Sequence, residues 1–266
     1  MNIKEIIEKH GGTNENWLIL EYLTGKKSVE LKMDLRFCVD SIYNDFLEII
    51  EKRKQNYPLQ YILGKWEFYG LELFVDESAL IPRFETEILV DEILKLDCKK
   101  DKILDIGCGS GAISLALADN LKKSYVYGID INKEAIKLSN KNKEKLNLKN
   151  VDFFESDIFS NVDEKNFDII VSNPPYIDEI DMKTLEKELS FEPQNALYGG
   201  KDGLFFYKKI ISGSLDYLSA NGVLAFEIGY NQMKIISNLL IENGFEILLQ
   251  KKDFAGFDRI IIGKRR

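Results

Sequence analysis

Histidine is nearly missing from this chain of 266 residues: His10, close to the amino end, is the only one. A Ser-His-Asp or Cys-His catalytic arrangement and a histidine-rich metal site therefore have almost no material to draw on, and no metal is expected. Cysteine is scarce as well. Cys38, Cys98 and Cys108 are widely spaced and form no CxxC pair, so neither a disulfide framework nor a zinc site is indicated. No apolar run approaches the roughly 20 residues that cross a bilayer, and the opening Met-Asn-Ile-Lys-Glu-Ile-Ile-Glu-Lys lacks the apolar centre of a signal peptide. The expected setting is the cytoplasm, away from membranes. An excess of positive charge is absent too: 36 Lys and Arg face 44 Asp and Glu, a net charge of −8. That balance argues against a protein whose affinity comes mainly from nucleic-acid phosphates, so direct nucleic-acid binding is not expected.

What is present is the composition of an ordinary globular protein, 45% hydrophobic and 30% charged, long enough for one large domain or two smaller ones. From Ile3 to about Lys54, apolar residues recur at three- and four-residue spacing. Ile3, Ile6 and Ile7 are followed by Trp17, Leu20, Tyr22 and Leu23, and then by Leu35, Val39, Ile42, Phe46, Ile49 and Ile50, with breaks at Gly11-Gly12 and Thr24-Gly25. The pattern predicts a small helical bundle, its third helix capped by Asp34. The period changes over residues 57–81, where Trp66, Phe68, Leu71, Leu73 and Val75 around Gly70 predict a two-stranded hairpin. The domain connection is placed there, giving an N-terminal helical domain with hairpin linker over 1–79 and a second domain over 80–266.

In the second domain strand and helix alternate. Pro82-Arg83 opens a helix over 85–96, and strands are expected at 102–106, 125–130, 151–155, 167–172, 222–228, 245–250 and 258–263. Helices are expected at 112–121, 133–146, 203–218 and 231–243. The fold class is therefore α/β, a doubly wound, mainly parallel seven-stranded sheet with helices on both faces, joined by the β-hairpin to the small helical domain. Ligands of such sheets collect at the carboxyl ends of the strands, and two motifs lie at such ends.

The first motif is Asp105-Ile-Gly-Cys-Gly-Ser-Gly-Ala, a strand end running into a glycine-rich turn and a helix. Gly107, Gly109 and Gly111 let the backbone turn sharply and approach a ligand, with Cys108 and Ser110 between them. The following helix start offers free N–H groups. Asp130, ending the next strand, is placed to accept both ribose hydroxyl hydrogens of an adenosine. The spacing also satisfies GxGxxA, a dinucleotide fingerprint, and a turn used only for tight strand-to-helix packing is the plain structural alternative. Asp105 favours S-adenosyl-L-methionine, because an acid just before the glycines suits a cationic methionine end and would repel a pyrophosphate. Asp157, after the strand at 151–155, is a candidate for the adenine amino group, with Ile158 or Phe159 packing on the ring.

The second motif, Asn173-Pro174-Pro175-Tyr176, ends the buried run Phe167 to Ser172. Two prolines fix the backbone, so the loop can present the Asn173 side-chain oxygen and the Pro174 carbonyl as two acceptors at a set separation. A planar –NH2 group has two hydrogens to match them. Gripping both aims a weak nitrogen nucleophile at a methyl group and stabilises the positive charge that develops as the nitrogen is alkylated. Tyr176 can stack on the flat substrate and stand near a sulfonium. A Pro-Pro pair that merely ends a strand is the alternative.

These two stretches together resemble class I methyltransferases acting on amino or amide nitrogen. Gln60-Tyr-Ile-Leu-Gly64, Glu67-Phe-Tyr-Gly70, Leu80-Ile-Pro-Arg-Phe-Glu-Thr-Glu87, Gly199-Gly-Lys-Asp-Gly-Leu204, Glu227-Ile-Gly229 and Asp253-Phe-Ala-Gly-Phe-Asp-Arg259 narrow the resemblance to the release factor glutamine methyltransferases, the PrmC/HemK family. The resemblance covers nearly the whole chain. It implies a Rossmann-like class I fold and methyl transfer from S-adenosyl-L-methionine to the glutamine amide nitrogen (N5) in the Gly-Gly-Gln loop of peptide chain release factors. It also implies cofactor contacts at Gly107 to Gly111 and Asp130, with Asn173 to Tyr176 holding the glutamine. Phe84 stands where the family often has a second proline, and Ile158 where it often has tryptophan. A DNA amino-methyltransferase shares the site motifs, but residues 1–80 hold ten Lys and Arg against fourteen Asp and Glu, a poor surface for phosphates. A methylase of another protein amide has the same site chemistry and is the closer rival.

Overall fold

A computed structural model describes all 266 residues, which divide into two compact units, Met1–Gly64 and Lys65–Arg266. The first is helical: α1 (Ile3–His10), α2 (Asn14–Thr24), α3 (Ser28–Met33), a short 3-10 turn at Asp40–Ile42, α4 (Tyr43–Lys54) and α5 (Leu59–Leu63). Helix α1 starts in a capping box. The Asn2 side chain accepts from the Glu5 N–H and the Glu5 carboxylate accepts from the Asn2 N–H, each at 3.0 Å. Thr13 caps α2, and Gly25, left-handed at φ +69°, ends it. Ile3, Ile6, Trp17, Ile19, Leu20, Leu31 and Phe46 form the core. Tyr22 and Leu35, which share the helical spacing, are exposed. Asp34 caps no helix start: it follows the last residue of α3, and the next long helix begins only at Tyr43. His10 packs edge-on against Phe46, its ring pKa lowered by burial, so the one histidine belongs to this bundle.

The second unit opens with the expected hairpin, β1 (Lys65–Phe68) and β2 (Leu71–Phe74), turning through Tyr69 and Gly70 at φ +51° and +74°. Positive φ at both loop residues is the geometry that matches the twist of paired strands. The hairpin belongs to the second compact unit, which begins at Lys65. After α6 (Phe84–Lys95) come β3 (Lys102–Ile106), α7 (Ala112–Asn120), β4 (Tyr125–Asp130), α8 (Lys133–Leu146), β5 (Val151–Glu155) and β6 (Phe167–Ser172). A stretch of 3-10 turns follows, then α9 (Phe205–Ser214), β7 (Leu218–Glu227), α10 (Met233–Glu242), β8 (Phe245–Lys252) and β9 (Asp258–Arg265). Helix α9 is shorter than the sequence predicts and β7 starts earlier, because Leu218 already pairs with Phe167 before a shift in register.

The seven strands lie in the order β5-β4-β3-β6-β7-β9-β8, parallel except where β9 pairs with β7 and β8. This is the class I methyltransferase sheet. Its two faces are packed by separate apolar clusters, Leu89, Ile103, Leu117 and Val171 in one, and Ile129, Phe167, Tyr207 and Phe226 in the other. From β3 the chain runs outward to β4 and β5, then crosses back to lay β6 on the other side of β3, so the switch in strand order lies between β3 and β6. A crevice opens at such a point. Ile106 is in register with Ser172, whose hydroxyl donates to the Ile106 carbonyl at 2.7 Å. The glycine-rich turn and the Asn-Pro-Pro-Tyr loop therefore leave neighbouring strands side by side.

Candidate active site

The glycine turn is held from within. The N–H groups of Gly107 and Cys108 both donate to the Ile129 carbonyl, at 2.8 and 2.9 Å, and the Gly109 N–H donates to Asp130 Oδ2 at 2.9 Å. Asp130 Oδ1 accepts from the Asn132 N–H at 2.8 Å. Burial pushes the Asp130 carboxyl pKa up while these N–H donors pull it down. Asn142, buried on α8, fastens the turn to β2 by donating to the carbonyls of Ser110 and Phe74, each at 3.0 Å.

Gly107, Cys108, Gly109, Ser110 and Asp130 line a cavity of about 600 Å³ whose other walls include Asp157, Ile158, Asn173, Pro174 and Pro175. Gly111 does not line it. A Cβ on Gly111 would lie 2.9 Å from Phe153 Cζ and 3.1 Å from Ser139, so this glycine serves the packing of the helix start onto β5 and α8. Asp105 also stays behind the wall, fully buried. Its Oδ2 accepts from the N–H and hydroxyl of Ser114, at 3.1 and 2.6 Å, while Oδ1 is buried with no hydrogen-bond partner. Burial pushes its pKa up to about 7, against the Ser114 hydrogen bonds, and the Asp130 charge adds to the rise. Any influence of Asp105 on a ligand runs through its charge rather than through contact.

Asp157 is exposed at the rim. Ile158 sits at φ +52°, a left-handed conformation that a β-branched residue rarely takes, and the Ser156 hydroxyl holds it by donating to its carbonyl at 2.9 Å. Phe159 is not a wall of the cavity. Its ring stacks on Tyr217 with centroids 4.4 Å apart, so of the two candidates only Ile158 lines the cavity.

A second cavity, about 470 Å³, is lined by Asn173, Pro174 and Tyr176 together with Arg83, Glu192, Glu227 and Arg259. Asn173 and Pro174 are walls of both cavities, and Tyr176 belongs to the second alone. Burial pushes the Tyr176 phenol up to about 12, so it stays neutral. The loop is braced from behind. Gln232 donates to the Tyr176 carbonyl at 3.2 Å, and Gly199 and Gly203 press against the backbone of Pro175 and Tyr176 with no room for a Cβ.

Four further residues escaped the sequence reading of roles. Glu192, buried, accepts from the Ile81 N–H at 3.0 Å and from the Arg83 guanidinium, pinning the segment before α6. Thr86 on α6 accepts from Asn173 Nδ2 at 3.3 Å and donates to Glu227 Oε2 at 2.6 Å. Glu227 ends β7, and burial pushes its carboxyl up to about 7. Arg259 pairs with Asp253. Thr86, Glu227 and Arg259 lie inside the sequence blocks noted above, but no spacing rule links them to Asn173. No helix is long and apolar enough to cross a membrane, and no three His, Cys, Asp or Glu side chains gather as metal ligands.

Comparison with known proteins agrees with this architecture. A family model described as "Methyltransferase small domain" matches residues 84–201, and one described as "PrmC N-terminal domain" matches residues 11–64. The chain is 51% identical to the release factor glutamine methyltransferase of Fusobacterium nucleatum over 82% of its own length and 62% of that protein's, less than two thirds of it. The enzyme of the same description from Buchnera aphidicola subsp. Acyrthosiphon pisum is 37% identical over 100% of this chain and 99% of the relative. Among solved structures, a methyltransferase from Pyrococcus furiosus superposes with a TM-score of 0.58 at 19% identity, covering 84% of this chain and 98% of that one, a likeness of fold.

The cofactor expected from the glycine turn and Asp105 is S-adenosyl-L-methionine. The larger cavity fits it: glycines keep Cβ atoms off its floor, and the lone buried oxygen of Asp105 favours a ligand carrying positive charge. With this fold, this pair of cavities and these relatives, the chain belongs to the release factor glutamine methyltransferase family.

Proposed function

We propose that this protein transfers a methyl group from S-adenosyl-L-methionine to the side-chain amide nitrogen (N5) of the glutamine in the Gly-Gly-Gln loop of peptide chain release factors, leaving N5-methylglutamine, S-adenosylhomocysteine and one released proton. The observation that carries this reading is the shared wall: Asn173 and Pro174 separate a cavity suited to the cofactor from a second cavity suited to an amide. When bound, the cofactor supplies a methyl group activated on a sulfonium. The chain supplies the rest. Asp130 accepts from the ribose hydroxyls, Gly107 to Ser110 form the floor, and Asp157 and Ile158 receive the adenine edge and face. Asn173 Oδ1 and the Pro174 carbonyl accept the two amide hydrogens, which turns the nitrogen toward the methyl group and stabilises the charge it acquires. Tyr176, a wall of the second cavity, flanks the flat amide.

A single glutamine offers too little surface to choose one protein. The helical domain and hairpin, residues 1–79, are assigned to gripping the release factor, and a substrate of this kind places the enzyme in the cytoplasm. The test is methyl transfer from labelled cofactor to a purified release factor, beside a variant lacking the Gly-Gly-Gln glutamine and plain duplex DNA. Label on the intact factor alone is expected. Label on DNA, or on the variant, would overturn the substrate.

A further inference from the structure

The side chains behind Asn173 form a hydrogen-bond chain whose direction is fixed once the Glu227 carboxyl, pushed up to about 7 by burial, is ionised. Glu227, 1% exposed, can only accept when ionised, and its Oε2 takes the Thr86 hydroxyl proton at 2.6 Å. A hydroxyl has one hydrogen. With that hydrogen committed to Glu227, the Thr86 oxygen can only accept from its other neighbour, the Asn173 amide at 3.3 Å. Asn173 must then turn its Nδ2 toward Thr86, and its Oδ1 is left to face the ligand side.

We propose that Thr86 and Glu227 are positioning residues that decide which end of the Asn173 amide meets the substrate nitrogen. The inference rests on the reading of Asn173 as an acceptor. An amide has nearly the same shape in both orientations, so packing alone discriminates poorly between them; the polarity of its partners discriminates strongly. Flipped, Asn173 would present N–H groups to the N–H groups of the substrate amide, losing a hydrogen bond and opposing the developing positive charge. The three residues come from α6, the start of the loop that leaves β6, and β7, and they meet only because β6 and β7 are neighbours in the sheet.

The experiment compares Thr86→Val, Thr86→Ser, Glu227→Gln and Asn173→Ala in the same release-factor assay, with cofactor Kd measured on each. Valine keeps the shape and removes the hydroxyl, so kcat should fall about 10- to 100-fold with cofactor Kd within about twofold, and serine should restore most of the loss. Glutamine at 227 can donate to Thr86, freeing the hydroxyl to donate to Asn173 Oδ1 and reversing the chain. Its kcat should fall in the same range, and it carries the test if the valine variant does not fold. Wild-type turnover in Thr86→Val, or serine no better than valine, would overturn the relay. Should Asn173→Ala itself retain normal turnover, the acceptor reading fails; an impaired Asn173→Ala beside a fully active Thr86→Val refutes the relay alone.

Discussion

Gly199 lies so close to Pro175 that a Cβ there would sit 2.6 Å from the Pro175 carbonyl oxygen and 2.7 Å from Tyr176 Cα. A backbone obstacle cannot rotate away, so the Asn173 to Tyr176 loop keeps its position only while residue 199 has no side chain. The same holds at Gly203, where a Cβ would lie 2.4 Å from the Tyr176 carbonyl oxygen. The glycines of the 199–204 stretch act on the site from outside it.

Gly199→Ala should therefore displace the Asn173 to Tyr176 loop. The overlap is expected to cost about 1–3 kcal/mol of stability and to lower kcat about 10- to 100-fold, with cofactor Kd little changed. Thermal unfolding and steady-state kinetics read both effects; a variant with unchanged Tm and kcat would show that the loop gives way freely.

Replacement of Asn173 by alanine removes the acceptor proposed to act while charge develops on nitrogen. A loss of about 100- to 1,000-fold in kcat is expected, with cofactor binding nearly intact, because Asp130 and the glycine turn stand on other strands. Equal losses in kcat and cofactor affinity would move Asn173 from the reaction to the cofactor.

Asp130→Ala should act the other way. It deletes the proposed ribose acceptor and the brace on the Gly109 N–H, so cofactor Kd should rise tenfold or more, about 1.4 kcal/mol or above. Isothermal titration gives the number directly, and an unchanged Kd contradicts the ribose role.

Asp105 gives a pH signature. Its folded pKa, pushed up to about 7, lies above its ordinary value of 3.8. The unfolded chain therefore loses this proton first as pH rises, and the contribution of Asp105 to stability is fully present below about pH 4 and lost as pH passes through about 7. The shift corresponds to a change on the order of 4 kcal/mol. Asp105→Asn cannot titrate, so the stability of wild type relative to this variant should fall between pH 4 and pH 8 in the cofactor-free protein. A pH-independent difference would mean that Asp105 is ionised throughout.

Deleting residues 1–64 leaves the hairpin with the unit it packs in. The shortened protein should bind the cofactor normally and show a raised KM for intact release factor. Unchanged kcat/KM would refute a recognition role for the helical unit.

The sequence by itself determined the elements whose causes are local. Alternating apolar periods mark β3 to β9 and the helices between them, Tyr69-Gly70 turns the hairpin, and Gly107-Cys-Gly and Asn-Pro-Pro dictate stiff turns at strand ends from backbone chemistry alone. Only the tertiary structure decided what each motif residue touches. Gly107 and Gly109 face the cavity while Gly111 packs against Phe153, Asp105 stands behind the wall, and Phe159 stacks on Tyr217. The partners of Asn173 were hidden for the same reason. Thr86 is 87 residues from Asn173 and 141 from Glu227. A period or motif encodes neighbours within a turn of chain, whereas these contacts follow from the order in which strands are laid into the sheet, a property of the whole chain packing its core.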